Sequence, residues 1–400
     1  MWVILGGKGT EAVASFEYEK LKEKYENFSH PLAQIVVNGN DVVDNPHGFQ
    51  ISDIEVEMTS GFEAAMATFW IYGCYDRTLS EFRFSDLKKY IFMGSSVIIN
   101  LGYGIHLREI FRGFISRVNF SFQEGEMPGV EVTAMDIKGI MMAGTYSRQL
   151  ESASFSKGVQ EILEQTSSAY EKLKSIGVVT KLDITDTPDM EPGGSSQGNK
   201  ATDKSIEMVC ESDYEFVVKA AKKFNFEFFS IGGTVYFRKA KSNKEILLEA
   251  GPGEGLRSFD VGYDLTGIVG KVEVRGMDVG KSKMISSSKK LQNKVSMGNK
   301  AKPLVTKAQK VYIDPTISSQ KEAGYRAEYL MEDISYRLGT LEAEFIGLPE
   351  LTPGRFLKIK GLGMAVSNTF YLVTVRHKMD SEKGYVTKIV GKAASMETGV

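Results

Sequence analysis

The stretch Val97-Ile98-Ile99-Asn100-Leu101-Gly102-Tyr103-Gly104 decides the fold. It has a counterpart 259 positions later, Phe356-Leu357-Lys358-Ile359-Lys360-Gly361-Leu362-Gly363. Each reads as an apolar strand running into a Gly-x-Gly turn, where glycine tolerates a left-handed backbone at little cost. The same ungapped offset lays Phe111 on Phe370 and Arg117 on Arg376. Past the next turn, Gly129-Val130-Glu131-Val132-Thr133 answers Gly384-Tyr385-Val386-Thr387, through a hairpin four residues shorter. Turn chemistry shared by chance between two β regions is the competing explanation. The single register kept by these matches favours one strand–turn–strand–hairpin plan used twice.

Around the first copy, residues 33–145 are read as short strands. They comprise Ile35-Val36-Val37 entering Asn38-Gly39, Ile51 to Glu57 with Ile54, Val56 and Met58 on one face, Ala67 to Tyr72, Ser96 to Leu101, Phe111 to Phe122, and Val130 to Ala134. Several short strands with Gly-rich turns imply a barrel or sandwich. Ahead of them, residues 11–29 read as one helix, with Phe16, Leu21, Tyr25 and Phe28 near one face. His30-Pro31 ends it, because proline disfavours a helical residue before it. Residues 1–32 are thus expected to form a helical extension, either packed against the first domain or serving as a partner-docking arm.

Residues 146–249 are read as a small α/β domain. A helix is expected over Phe155 to Lys174 and a loop over 186–204. Ser212-Asp213-Tyr214-Glu215 fits a capping box that starts a helix with Phe216, Val217, Ala220, Ala221 and Phe224 inward. Phe226 to Ile231 and Thr234 to Lys239, joined by Gly232-Gly233, read as a hairpin. From 250 to 400 strands return, starting with Gly267 to Arg275. Residues 276–310 read as an irregular basic loop, since Lys281, Lys283, Lys289, Lys290, Lys294 and further lysines face one acid, Asp278. A helix from about Ser318 to Leu338 follows, with Ala323, Ala327, Leu330, Met331, Ile334 and Leu338 on one face. Strands at 341–346, 355–360, 369–377 and 385–391 close the chain. The fold class is α+β, mainly β: two β-barrel domains, 33–145 and 250–400, flank a small α/β domain.

Composition excludes several functions. Lys plus Arg is 49 and Asp plus Glu is 51 in 400 residues, so the formal charge is −2 and no basic footprint marks a nucleic-acid or membrane-surface binder. Two cysteines, Cys74 and Cys210, make no disulfide framework and are read as two free buried thiols, with a single bridge as the alternative. No run approaches the ~18 apolar residues that span a bilayer, and Met1 to Gly7 is too short and not basic enough for a signal peptide. Synthesis and folding in the cytoplasm are the expectation.

The search for chemistry yields no catalytic, cofactor-binding or metal-ligating residue. His30, His47, His106 and His377 are scattered, and neither H-E-x-x-H nor C-x-x-C occurs. His377, at the end of an expected strand, is read as a hydrogen-bonded structural histidine. Gly6-Gly7-Lys8-Gly9-Thr10 lacks the spacing of a phosphate loop. Asp183, Asp186, Asp189 and Glu191 read as a solvated turn rather than an acid pair set across a glycosidic bond. The lysines of 276–310 lack the interleaved aromatics of a single-strand binder. They are read as a solvated or partner-ordered loop.

Taken in order, the motifs resemble a family. Ser212-Asp213-Tyr214-Glu215-Phe216-Val217 before a helix and an aromatic strand pair is similar to phage tail hub proteins. So are Leu351-Thr352-Pro353-Gly354, then Phe370-Tyr371-Leu372-Val373-Thr374-Val375-Arg376-His377, and Gly384-Tyr385-Val386-Thr387. Gly94 to Leu101, Phe111-Arg112-Gly113-Phe114-Ile115 and Val132-Thr133-Ala134-Met135-Asp136 look like the family's first barrel. Over about 33–395 the chain resembles the phage late control protein D family of baseplate hubs in contractile tails. It also resembles the N-terminal hub part of type VI secretion puncturing proteins. The resemblance implies two tail-tube-like barrels per chain and a homotrimeric structural hub, not an enzyme, joining a sixfold tube to a threefold spike. The implied partners are the tail tube or a tube-initiator protein, a separate spike protein, other baseplate proteins and the tape measure protein, with no membrane binding by the chain itself. The implied place is the baseplate of a phage tail, a bacteriocin or another injection particle. A tail-associated cell-wall hydrolase, or the hub of a non-contractile tail tip, are the alternatives.

Overall fold

The computed structural model describes residues 15–166, 168–189, 206–278, 282–292, 297–298, 300–317 and 319–396. Helix α1 (Tyr18–Lys24) precedes six strands: β1 (Pro31–Val37), β2 (Gln50–Thr59), β3 (Met66–Tyr72), β4 (Ser96–Tyr103), β5 (His106–Ser121) and β6 (Gly129–Met135), with α2 (Phe84–Ile91) between β3 and β4. The middle of the chain holds α3 (Lys138–Met141), β7 (Tyr146–Leu150), α4 (Phe155–Leu163), α5 (Ala169–Ser175), β8 (Lys181–Ile184), β9 (Ile206–Glu211), α6 (Asp213–Phe224), β10 (Phe226–Ile231) and β11 (Thr234–Lys239). There follow β12 (Ile246–Ala250), β13 (Leu256–Tyr263), β14 (Lys271–Asp278), β15 (Lys283–Lys290), α7 (Ala301–Thr306), β16 (Gln309–Ile313) and α8 (Gln320–Ser335). The last strands are β17 (Gly339–Ile346), β18 (Phe356–Ile359), β19 (Thr369–Asp380) and β20 (Gly384–Ala393).

The internal echo becomes a topology. In the first β unit the strands lie in the order β1-β4-β5-β6-β3-β2; in the second they lie in the order β12-β18-β19-β20-β17-β13. Matched in chain order, the two units have the same plan. They differ at one end, where β1 is antiparallel to β4 while β12 is parallel to β18. Arg117 opposes Thr133 as Arg376 opposes Lys388, and the registers agree from there to the hairpin turn, while upstream the irregularity falls at Ser116 in β5 and at Val373 in β19. In sequence the α/β region separates the two units, yet in space they adjoin: β2 pairs with β19, and together with the two-residue strand Asn40–Asp41 beside β1 one 13-stranded sheet results. Alternate residues of its strands feed one core, including Ile35, Val56, Phe69, Ile99, Leu341, Phe345, Phe370 and Ile389. Burial of each such side chain contributes about 1.5–3 kcal/mol.

Three expectations for local structure are corrected. The helix expected over 11–29 shrinks to α1, because Glu26, Asn27 and Phe28 turn through positive φ. Residues 11–14 lie outside the described residues. The segment is packed: Leu21, Tyr25 and Phe28 are buried, Phe16 bridges Leu248, and the Tyr25 hydroxyl donates to Glu350 at 2.7 Å. The single helix expected over Phe155 to Lys174 is two. Ser154 caps α4, and Ser168 both caps α5 and donates back to the Gln165 carbonyl at 2.6 Å, so its hydroxyl competes with helical pairing. Most of the loop expected over 186–204 lies outside the described residues.

The third correction concerns the Lys-rich region. Residues 276–310 do not form one irregular loop: β14, β15 and β16 make their own three-stranded sheet, against which α8 packs. A sheet with one wet face needs an apolar residue only at every second position. Val272, Val274, Ile285, Met297 and Val305 suffice to meet Ala323, Ala327, Leu330 and Met331 of α8, while Lys283, Lys289 and Lys290 stay exposed. Lys281 and Lys294 lie outside the described residues. Strands β12 and β13, unread in the sequence, precede this insertion; β13 has no buried residue to reveal it.

The helix capping motif is formed as read. The Ser212 hydroxyl accepts from the Glu215 amide at 3.1 Å, and the Glu215 carboxylate accepts from the Ser212 amide at 2.7 Å. Asn225 ends α6 in the left-handed region, and Gly232 and Gly233, both at positive φ, turn β10 into β11. Ser212→Ala is expected to cost about 0.5–2 kcal/mol. Urea unfolding of the full chain reads it, and an unchanged midpoint would remove the role given to the cap.

Candidate functional site

The histidines do not gather into one site among the described residues. His30 is exposed, His47 stacks on Phe49 with Nδ1 3.6 Å from Asp86, and His106 opens β5. His377 is wholly buried in β19. Its Nε2 lies 3.1 Å from the Leu351 carbonyl, which can only accept, so Nε2 carries the proton. Nδ1 then accepts from Tyr385 at 2.9 Å and from Thr387 at 3.1 Å. Burial pushes this imidazole down to about 4. Asp183 sits on β8, Asp186 follows it, and Asp189 bridges Ser154; Glu191 and Gly6 to Thr10 lie outside the described residues. Among the described residues no three His, Cys, Asp or Glu side chains converge as a metal ion would require. Cys74 is buried as read, and burial raises its thiol; Cys210 is exposed, a correction, because it lies at an irregularity where β9 pairs with β7.

The geometry concentrates instead on the joint between the β units. Ile54 to Thr59 of β2 run antiparallel to Met379 to Thr374 of β19. Ile54, Val56 and Met58 face the core with Val375 and His377. On the other face Arg376 spans Glu55, at 3.2 Å, and Glu57, whose carboxylate raises the guanidinium further. Cross-strand opposite charges contribute about 0.2–1 kcal/mol. Their larger effect is on register, since a one-residue slip would turn every buried side chain outward. Beneath the joint, Tyr103 of the first unit donates to the Gly347 carbonyl of the second at 2.9 Å and packs on Tyr385.

A second tie fastens the α/β region to the same place. Glu227 of β10 is buried and accepts from Arg238 Nε at 2.7 Å and from the Tyr371 hydroxyl of β19. Arg238 also donates to the Gly354 carbonyl at 2.9 Å. Burial and the Glu227 carboxylate hold Tyr371 protonated, well above the usual phenol range. Three parts of the chain, far apart in sequence, thus converge on β19.

Compared with known families, the sequence model described as Alg8 N-terminal domain matches residues 138–381, more than half of the chain. The chain belongs to the Alg8 N-terminal domain family. The matched span of this family runs from α3 through β19 and so contains the α/β region, the Lys-rich insertion and the second unit's half of the joint. Among curated proteins none matches.

Solved structures share the fold of this family member over most of its length. The tail protein from Neisseria meningitidis MC58 is 11% identical with a TM-score of 0.64, over 91% of this chain and 97% of that one. The 43 kDa tail protein of prophage MuSo2 from Shewanella oneidensis is 11% identical with a TM-score of 0.63, over 91% and 98%. An E. coli component of the type VI secretion system, described as structurally similar to the T4 bacteriophage tail proteins gp27 and gp5, is 10% identical with a TM-score of 0.53, over 89% and 76%. The structural neighbours are therefore phage tail and type VI secretion proteins, in line with the kind of family the sequence resembles. At these identities the likeness is one of fold.

Sequence reasoning found Arg376 through its match to Arg117 but not its partners Glu55 and Glu57. The available signal was their alternation with Ile54, Val56 and Met58, which places both carboxylates on the outer face of β2.

Proposed function

We propose that the chain is a structural baseplate hub of a contractile tail or tail-like injection particle. In this reading it is a homotrimer of the late control protein D kind, without catalysis of its own, that joins a sixfold tail tube to a threefold spike. The observation that carries it is one strand plan present twice in a single continuous sheet. Two like units per chain give six like units in a ring of three chains, and heterologous contacts of this sort propagate until the ring closes. Such a ring offers a nearly sixfold face to tube subunits and strict threefold symmetry to the spike. The fold likeness to phage tail and type VI secretion proteins supports the same reading. Among the described residues no helix is long and apolar enough to cross a membrane.

Cryo-EM of the assembled particle tests it. Three copies are expected in one ring, with both β units of each chain at similar radius and height, and the purified chain is expected to clear no peptidoglycan in a zymogram. A single copy per particle, units stacked along the axis, or a cleared band would overturn the reading.

A further inference from the structure

The joint between β2 and β19 is made from two edges, and each unit owns a copy of both. On the receiving side, β19 has β18 beside Thr369 to Tyr371, and its remaining edge, Thr374 to Met379, is filled by β2. Its counterpart β5 has β4 beside His106 to Phe114, but among the described residues no strand borders 117–121 on the side away from β6. On the donating side, β2 is used, whereas its counterpart β13 ends the sheet, and among the described residues no strand borders its outer edge beyond the single bridge between Pro252 and Leu256. Long open edges that expose large apolar side chains are what proteins avoid unless something pairs with them. Here Phe120 is 44% exposed and Phe259 is 42% exposed.

We propose that a second copy of this chain adds its β13 to the free edge of β5, repeating between chains the joint that β2 and β19 make within one. The register follows from pairings already present. Glu57 opposes Met66, which opposes Met135; Asp260 opposes Glu342, which opposes Val390. Since Met135 and Val390 occupy matching positions of β6 and β20, Asp260 is the counterpart of Glu57. Arg117 is the counterpart of Arg376. Glu57 opposes Arg376 in the joint, so Asp260 of one copy falls opposite Arg117 of the next. The acid and the base are conserved in kind between the two joints, and neither Arg117 nor Asp260 makes an ion pair among the described residues. In the same register Ser258 meets Asn119, Phe259 meets Val118 and Arg257 meets Phe120, so both exposed phenylalanines come under cover on one face. Pairing of this kind draws its affinity from main-chain hydrogen bonds and its register from alternate side chains. It is also head-to-tail: each first unit receives the second unit of the next chain, in the sense in which each second unit receives its own first unit. The number of copies rests on the hub reading; the choice of edges and their register rest on the joint.

Cysteine trapping tests it on the full chain, in a Cys210→Ser background. Asn119→Cys with Ser258→Cys is expected to form inter-chain disulfides under mild oxidation, in a ladder that ends at three chains. Asn119→Cys with Asp260→Cys, shifted by two residues on the same face, is expected to react much more slowly. Arg117→Glu is expected to weaken assembly about five-fold per joint, and adding Asp260→Arg to restore it. A particle with three copies in which the Asn119–Ser258 pair does not link, equal linking of the shifted pair, or failure of the charge swap to rescue would overturn this interface and leave the hub reading standing. The hub reading falls separately, on the copy number in the particle.

Discussion

Glu227→Ala is expected to destabilise the full chain by about 3–5 kcal/mol, the cost of leaving a buried ionic partner uncompensated. The carboxylate is buried, and Arg238, whose side chain is 16% exposed, would keep its charge with only the Gly354 carbonyl and the faces of Phe229 and Tyr236 around it. The Tyr371 hydroxyl would lose its acceptor in the same step. Glu227→Gln keeps an oxygen for one of these donors and is expected to cost less than half as much. Glu227→Ala with Arg238→Met, which removes both charges, is expected to regain most of the loss. Urea midpoints of the four proteins decide the matter. A Glu227→Ala loss below about 1 kcal/mol would show that the tie between β10 and β19 contributes little.

The second large effect is a pH dependence. His377 stays neutral in the folded chain down to about 4, because burial opposes its charge more than the Leu351 carbonyl favours it. Unfolded, it protonates near the ordinary value of about 6.5. Between these values the unfolded chain binds the extra proton, so stability is unaffected above about 6.5 and falls as the pH drops toward 4. At about 1.36 kcal/mol per pH unit the loss across that window is about 3 kcal/mol. Other groups titrate there too, so the measurement is a difference. Unfolding free energies of the natural chain and of His377→Gln are compared at pH 7, 5.5 and 4.5. The natural chain is expected to lose more, with the gap widening as the pH falls. Parallel curves would mean that the imidazole titrates alike in the folded and unfolded chain.

Much of the fold was legible because its signals are local. The capping box at Ser212 and Glu215, the two glycines between β10 and β11, and the period-two burial of Ile54, Val56 and Met58 each depend on neighbours a few residues away. The inward face of α8 was legible for the same reason, from Ala323 to Ile334 at helical spacing. The structural role of His377 could be read from its place in a strand, though not its partners Leu351, Tyr385 and Thr387. What failed locally failed for want of an apolar pattern. β13 is exposed over most of its length, so nothing marks it as a strand until β17 pairs with it. The lysines of β15 concealed that only its alternate positions needed to be apolar, and that α8 would cover them.

By itself, then, the sequence determined the repeated strand plan, since the 259-residue offset keeps glycines and apolar positions in one register. It also determined the composition of the core faces. Only the tertiary structure decided that the two units share one sheet, because strand pairing between β2 and β19 is made by main-chain groups that every residue carries. It also selected Glu55 and Glu57, among 51 acidic residues, as the partners of Arg376. An ion pair between positions some 320 residues apart leaves no local trace in the chain; it exists because the hydrophobic faces of β2 and β19 fix the register in which those charges meet.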